Sequence, residues 1–461
     1  MNVNNPGNFL MKLPFSFLFY SREEYSMKSL TKKIFQFAIP SITSMWIFTL
    51  YTIVDGIFIG KYVGPLALGA ANLAMPIFNL SFGIGIMIAV GASTLISIAF
   101  SQKNFKQGNY YFNLASFFAF LLGTCLSLFC FFALKSIVTF LGANDNLFPY
   151  VYEYVRIILF FFPFYLCGYG WEIYIKVDGN AVYPMFCVLL GAGINIALDY
   201  IFLAIFHTGV QGAALATGLA QTITSLALLA YIIKYSKNFS FQKVHIYGKN
   251  ILCILKTGFS EFFTEISSGI LILIFNRFLF FYLGERGIIS FSAISYLSSL
   301  VIMTMIGFAQ GIQPILSFSY GKKSKKEILH IFNISILSII VLGIFFLLFA
   351  CFFSQNLVKY FLSIETETLV TSVALKKYSI SYLFMGLNIL FSAFFTALKK
   401  AKFSLLITFC RGIFLPIIAL FSTPFLLGKE NLWFAATISE GMTFLISFYL
   451  YQSYKKELLH D

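Results

Sequence analysis

The sequence predicts an all-α polytopic membrane protein of about twelve transmembrane helices in two pseudo-symmetric six-helix lobes, and three observations carry that reading. Of the 461 residues, 59% are hydrophobic and only 11% charged, with a mean hydropathy of +0.85, whereas ordinary soluble domains carry about 25% charged residues. About twelve apolar stretches are long enough to cross the roughly 30 Å of hydrocarbon in a bilayer. Features of the first half recur in the second about 220 residues later.

Residues 1–27 are polar and Asn-rich around a short apolar patch at 15–20. The patch is too short to span and lacks a small-residue cleavage site, so the stretch reads as a disordered extension. Apolar spans follow near 34–60, 71–99, 113–141, 154–175, 182–206, 211–233, 254–283, 289–318, 328–353, 377–398, 403–427 and 431–452. A first lobe of residues 28–235 and a second of 254–461 are thus joined by a basic linker, 236–253. Phe37-Ala38-Ile39-Pro40-Ser41 aligns with Thr257-Gly258-Phe259-Ser260-Glu261, Val63-Gly64 with Leu283-Gly284, and Gly91 with Gly311. An even number of spans per lobe makes the repeats parallel, and such repeats enclose a site between them.

The formal charge of +14 would suggest nucleic acid in a soluble chain. Here the lysines gather in alternate short loops, among them Lys103, Lys176, Lys237, Lys322 and Lys399, which predicts cytoplasmic loops, both termini cytoplasmic and no nucleic-acid partner. The seven cysteines lie in or beside apolar spans without C-x-x-C spacing. That pattern favours packing roles over disulfides or metal sites.

Acids at membrane depth are costly unless they face a polar interior, a cation or a proton path. Asp55 lies near the outer end of the first span, Asp199 near that of the fifth, and Thr217 about two turns into the sixth. Asn195 sits four residues before Asp199 and shares its face. At 1.5 Å per residue these groups reach one level in the outer half of the first lobe. That convergence predicts an oxygen cage for a monovalent cation or a proton. Further acids are Glu261 and Glu265 on one face of the seventh span, Glu440 in the twelfth, and Glu172 near the cytoplasmic end of the fourth, where snorkelling accounts for it. Glu265, Gln310, Asn388 and Glu440 are candidates for a substrate cavity or a polar site in the second lobe; tying helices together is the alternative for Glu265 and Glu440.

The run Val54-Asp55-Gly56-Ile57-Phe58-Ile59-Gly60-Lys61-Tyr62-Val63-Gly64 resembles the first-helix signature of the multidrug and toxic compound extrusion (MATE) transporters. So do Asp178-Gly179-Asn180, Asn195-Ile196-Ala197-Leu198-Asp199 with Gly212-Ala213-Ala214-Leu215-Ala216-Thr217, and Gly307-Phe308-Ala309-Gln310-Gly311-Ile312-Gln313-Pro314. The resemblance covers about residues 30–452. It implies a V-shaped pair of lobes in a bacterial cytoplasmic (inner) membrane, exporting small lipophilic cations in exchange for Na⁺ or H⁺, as a monomer without a cofactor. In the branch it resembles, a first-lobe cation site uses groups matching Asp55, Asn195, Asp199 and Thr217. Another branch uses a Glu on the seventh helix and an Asp on the tenth; Glu265 matches the first, but the tenth span offers only Asn388.

Other classes fit less well. A lipid-linked sugar flippase needs a cavity rich in Arg and Lys to hold pyrophosphate, and Arg156, Arg277 and Arg411 are the few candidates. A membrane enzyme lacks its motifs: there is no H-E-x-x-H, no G-x-S-x-G and no P-loop, and His207, His245, His330 and His460 lie in loops or near helix ends.

Overall fold

Every regular element of the computed structural model is helical among the described residues, which are 27–362 and 364–460. Residues 1–26, the bulk of the extension read as disordered, lie outside them. A chain this apolar folds helically because lipid offers no partner for a free backbone N–H or C=O. The first half comprises α1 (Met27–Tyr62), α2 (Pro65–Ser101), α3 (Phe105–Phe132), the short α4 (Leu134–Phe140), α5 (Phe148–Leu159), α6 (Phe162–Val177), α7 (Val182–Asp199) and α8 (Gly209–Lys234). The second comprises α9 (Gly248–Leu283), α10 (Glu285–Gly321), α11 (Lys325–Lys359), α12 (Glu365–Ser379), α13 (Tyr382–Ala397), α14 (Ala401–Phe409), α15 (Leu415–Leu427) and α16 (Phe434–His460).

Among the described residues nine helices are long and apolar enough to cross a membrane, with α7 counted together with the π turn Tyr200–Ile205 and α14 joined to α15 through a second π turn, Cys410–Phe414; the pairs α5/α6 and α12/α13, bent by 54° and 43°, bring the spans to eleven. The twelfth is α16, 27 residues long, whose apolarity is diluted by Ser439, Glu440 and Thr443, all buried in the second half. The fourth and tenth spans are therefore each broken into two helices, the fourth where the sequence marks a kink at Pro163. Pro163 at the start of α6 explains the first break, because its ring cannot continue the preceding helix. Pro40, Pro76 and Pro314 sit inside unbroken helices.

The repeat is written into the backbone. Gly64 and Gly284, at φ 119° and 67°, turn α1 into α2 and α9 into α10, a left-handed conformation that glycine adopts without a Cβ penalty. Lys103 and Lys323 occupy matching left-handed positions, at φ 60° and 58°, after α2 and α10.

The halves meet where α2 crosses α9 and α10 crosses α1. A Cβ on Gly91 would overlap the Ile254 carbonyl, and one on Gly258 the Met87 carbonyl. In the matching crossing, a Cβ on Gly311 would lie 2.8 Å from the Ala38 Cα, and one on Gly307 2.7 Å from the Ile42 Cα. Small residues thus let four backbones approach closely. The ends of α2 and α10 also touch, Gly321 lying against Ser101 and Ile98.

One turn at the opposite end from Asp55 ties the linker to the first half. Asp178, which follows α6, accepts a hydrogen bond from Asn238 Nδ2 at 2.7 Å. Burial raises its carboxyl to about 6, partly offset by hydrogen bonds from Asn238 and Ser236 and from the backbone N–H groups of Lys237 and Asn238. A folded-state pKa above the unfolded value gives stability that is fully present below the unfolded pKa and is lost as pH rises through the folded one. Thermal midpoints should therefore fall between about pH 4 and 6 more steeply for the wild type than for Asp178→Asn. Parallel midpoint curves for the two proteins would contradict this.

Candidate functional site

Four predicted groups from three spans converge in the first half. Asp55 projects from α1, Asn195 and Asp199 from one face of α7, and Thr217 from α8. Asn195 is 1% exposed and Asp199 0%. Asn195 Nδ2 lies 3.4 Å from Thr217 Oγ1, its acceptor, and Thr217 donates in turn to the Ala213 carbonyl at 3.0 Å. The Asn195 amide oxygen is left buried without a hydrogen-bond partner. Asp55 Oδ1, Asn195 Oδ1 and both carboxylate oxygens of Asp199 are buried with no donor, and the two carboxylates face each other within direct interaction range.

Acceptors alone cannot satisfy one another. Two carboxylates at this separation in a medium of low dielectric need a shared proton or a cation between them. Oxygen ligands are also what a hard cation prefers. The site therefore fits a proton or Na⁺ by the chemistry of its own donor set.

Glycines permit the convergence. A Cβ on Gly191 of α7 would overlap Thr224 Oγ1 of α8, and one on Gly218 of α8 would overlap the Phe161 ring. Immediately after Asp199 the helix widens into a π turn, Tyr200–Ile205, a feature frequent at functional sites and not signalled by local composition. Two neighbours also escaped the sequence reading. Tyr51 lies one turn before Asp55, and Tyr154 stands beside both carboxylates and Thr217. Among 26 tyrosines no spacing distinguishes them.

Beside the carboxylates lies a cavity of about 320 Å³ between the halves. Its wall carries Asp55, Thr217 and Glu172 from the first half, Glu265 and Gln310 from the second, and a dense aromatic lining that includes Phe48, Phe78, Phe82, Tyr165 and Tyr169. No Lys or Arg stands among these lining residues. Aromatic faces with a few carboxylates attract a desolvated cation by its charge and its apolar body together.

Two sequence expectations change here. Lys176, counted among the loop lysines, lies in α6 at 1% exposure and pairs with Glu172 at 2.9 Å. Glu172 therefore does not snorkel; it faces the cavity with its charge balanced from the side. The error arises because a lysine near a helix end looks the same in sequence whether it faces headgroups or the bundle interior.

In the second half, Glu261, Glu265, Gln310, Asn388 and Arg411 surround a small polar pocket of about 40 Å³. Glu440 is not on its wall and instead ties helices. Arg411 Nε donates to its Oε1 at 2.8 Å, Asn388 Nδ2 to its Oε2 at 2.7 Å, and Ser447 to Asn388 Oδ1 at 3.1 Å. Removing one member of a buried pair strands the other. Arg411→Met should cost about 3–5 kcal/mol of stability, whereas Arg411→Met with Glu440→Leu should recover most of the loss. Thermal midpoints of the purified variants measure both, and a double variant no more stable than the single would contradict the pairing.

The MatE family model matches residues 40–201 and again 261–421, two stretches set apart by the offset of the internal repeat. A multidrug export protein MepA from Staphylococcus haemolyticus (strain JCSC1435) is 23% identical over 449 residues, covering 96% of this chain and 97% of its own length. Its counterpart from Staphylococcus aureus (strain MRSA252) is 24% identical over 413 residues, 89% of this chain and 91% of its own. Among solved structures, the outward-facing conformation of a multidrug resistance MATE family transporter of the MOP superfamily superposes with a TM-score of 0.89 at 20% identity, covering 96% of this chain and 100% of that one. With both halves matched and the fold shared from end to end, the chain belongs to the MatE family and is a membrane transporter rather than an enzyme.

Proposed function

We propose that this chain is a secondary antiporter that exports cationic, amphipathic compounds, with Na⁺ or H⁺ entering in exchange at Asp55, Asn195, Asp199 and Thr217. The observation that carries the reading is the pair of facing carboxylates, buried without a donor beside an aromatic cavity. The name of the MepA relatives, multidrug export proteins, supports it. Coupling follows from the competition of two cations for one group of acids. When a proton or Na⁺ occupies the first-half cluster, α1 and α7 no longer repel, and the cavity loses the charge that holds an organic cation. One elementary charge moving through about 100 mV supplies about 2.3 kcal/mol, enough for a roughly fifty-fold substrate gradient.

On the same reading the protein is a monomer in the bacterial cytoplasmic (inner) membrane, with both termini in the cytoplasm, a first lobe of 28–235, a linker of 236–253 and a second lobe of 254–461. A flippase for lipid-linked sugars is disfavoured because the cavity wall lacks cationic side chains to grip a pyrophosphate. The test is efflux of a cationic dye from vesicles energised by a Na⁺ gradient alone or a pH gradient alone. At least one gradient should drive export, and failure of both would sink the proposal.

A further inference from the structure

The segment that joins the halves is held as a ligand would be. Asn109 and Asn113 lie four residues apart on α3 and share a face. Asn109 donates through Nδ2 to the Asn238 carbonyl at 2.7 Å and accepts the Ser240 N–H at 2.7 Å. Asn113 donates through Nδ2 to the Ser240 carbonyl at 2.8 Å and accepts the Gln242 N–H at 3.0 Å. Each amide therefore reads a C=O and the N–H two residues on, along one edge of an extended chain, as a neighbouring strand would.

The pattern is specific in two further respects. Both asparagines are 5% exposed, so water competes poorly for these bonds. The intervening side chains point to one side, as alternate residues of an extended chain do. Phe239 meets Phe112 and Phe100 at ring separations of 4.6 and 5.3 Å, and Phe241 meets Phe112 at 5.2 Å. Asn238 is also fastened to Asp178. Past Gln242 the hydrogen bonds thin to one hydroxyl, Tyr110, which donates to the His245 carbonyl and accepts from Asn250 Nδ2, each at 3.0 Å, and the apolar contact thins to Val244 against the cluster that holds Phe112 and Phe239.

The geometry points to α3 carrying a built site for an extended peptide, occupied by the chain's own residues 238–242 throughout the transport cycle, so that the halves hinge over residues 243–247. The part concerning the cycle rests on the antiport reading above; the site itself does not. Its consequence is mechanical. The first five residues beyond Lys237 move with the first half, and the turn at Asp178 that precedes α7 is braced by the same strap. Asn180 of that turn accepts the Tyr183 N–H at 3.0 Å at the start of α7, the helix that carries Asn195 and Asp199.

Hydrogen exchange read by mass spectrometry on the intact protein in nanodiscs tests the site without any variant. The Ser240 and Gln242 amides should exchange at least about a hundredfold more slowly than those of 244–246. Uniformly fast exchange across 238–247 would overturn the proposal. In Asn109→Ala with Asn113→Ala, residues 238–242 should exchange as fast as 243–247, and unchanged protection there would equally overturn it. For occupancy during the cycle, Asn113→Cys with Ser240→Cys in a background lacking the seven native cysteines is oxidised to a crosslink. Dye export should stay within about twofold of the reduced form, whereas loss on oxidation with recovery on reduction would show that the strap must detach. No export by the unmodified protein would sink the antiport reading instead, with the exchange pattern still deciding the strap.

Discussion

Asp199→Asn should abolish gradient-driven export, by at least about tenfold, and at the same time make the protein more stable. Both effects follow from one change. Asp55 Oδ1, Asn195 Oδ1 and both Asp199 carboxylate oxygens lack a donor in the wild type, so the unloaded site is held together against its own repulsion. An amide at position 199 brings an N–H that can donate to Asp55 permanently, supplying what a proton or Na⁺ supplies only when bound. A charge-assisted hydrogen bond gained where acceptors were orphaned is worth about 1.5–3 kcal/mol. The thermal midpoint should rise while dye efflux falls to background. A variant that is inactive and less stable would point to a purely structural role for Asp199.

Gly91→Leu should leave a chain that inserts in the membrane but neither packs its halves nor transports. A Cβ at this position already overlaps the Ile254 carbonyl, a backbone atom that cannot rotate away. Even Gly91→Ala should cost about 1–3 kcal/mol through forced displacement of α9, and the larger side chain should prevent the crossing. Gly193→Ala is the control, because nothing lies within 4 Å of its Cβ and its midpoint should hardly move. Size-exclusion profiles against temperature, together with efflux, measure both. Equal midpoints for Gly91→Ala and Gly193→Ala would refute the close crossing.

How far the sequence carried these conclusions depends on the range of the physics involved. Span positions were legible because bilayer thickness imposes a length on every apolar stretch, and α7 with its π turn runs over 182–205 where the sequence places a span at 182–206. The cluster of Asp55, Asn195, Asp199 and Thr217 was legible from depth, since charges at one level of a membrane must be compensated by something at that level. The Gly91 and Gly311 correspondence was visible as a repeat, but its meaning required the partner helices α9 and α1.

What stayed hidden depends on partners distant in sequence. Glu440 gave no sign of Arg411, 29 residues earlier, so it looked as suited to a cavity as to a tie. Lys176 was counted as a loop charge because Glu172, four residues back, looked able to snorkel. Asn109 and Asn113 have a spacing that fits one helix face, yet the peptide they hold lies well over a hundred residues away. The break between α12 and α13 carries no proline to announce it.

Cation release on substrate binding tests the central claim most directly. The purified protein is mixed with a cationic substrate in weak buffer, and the release of H⁺, or of radioactive Na⁺ loaded beforehand, is followed. The wild type should release one of the two in proportion to the substrate bound, and Asp55→Asn with Asp199→Asn should release neither. Undiminished release from that double variant would place the exchanged cation elsewhere and contradict the account.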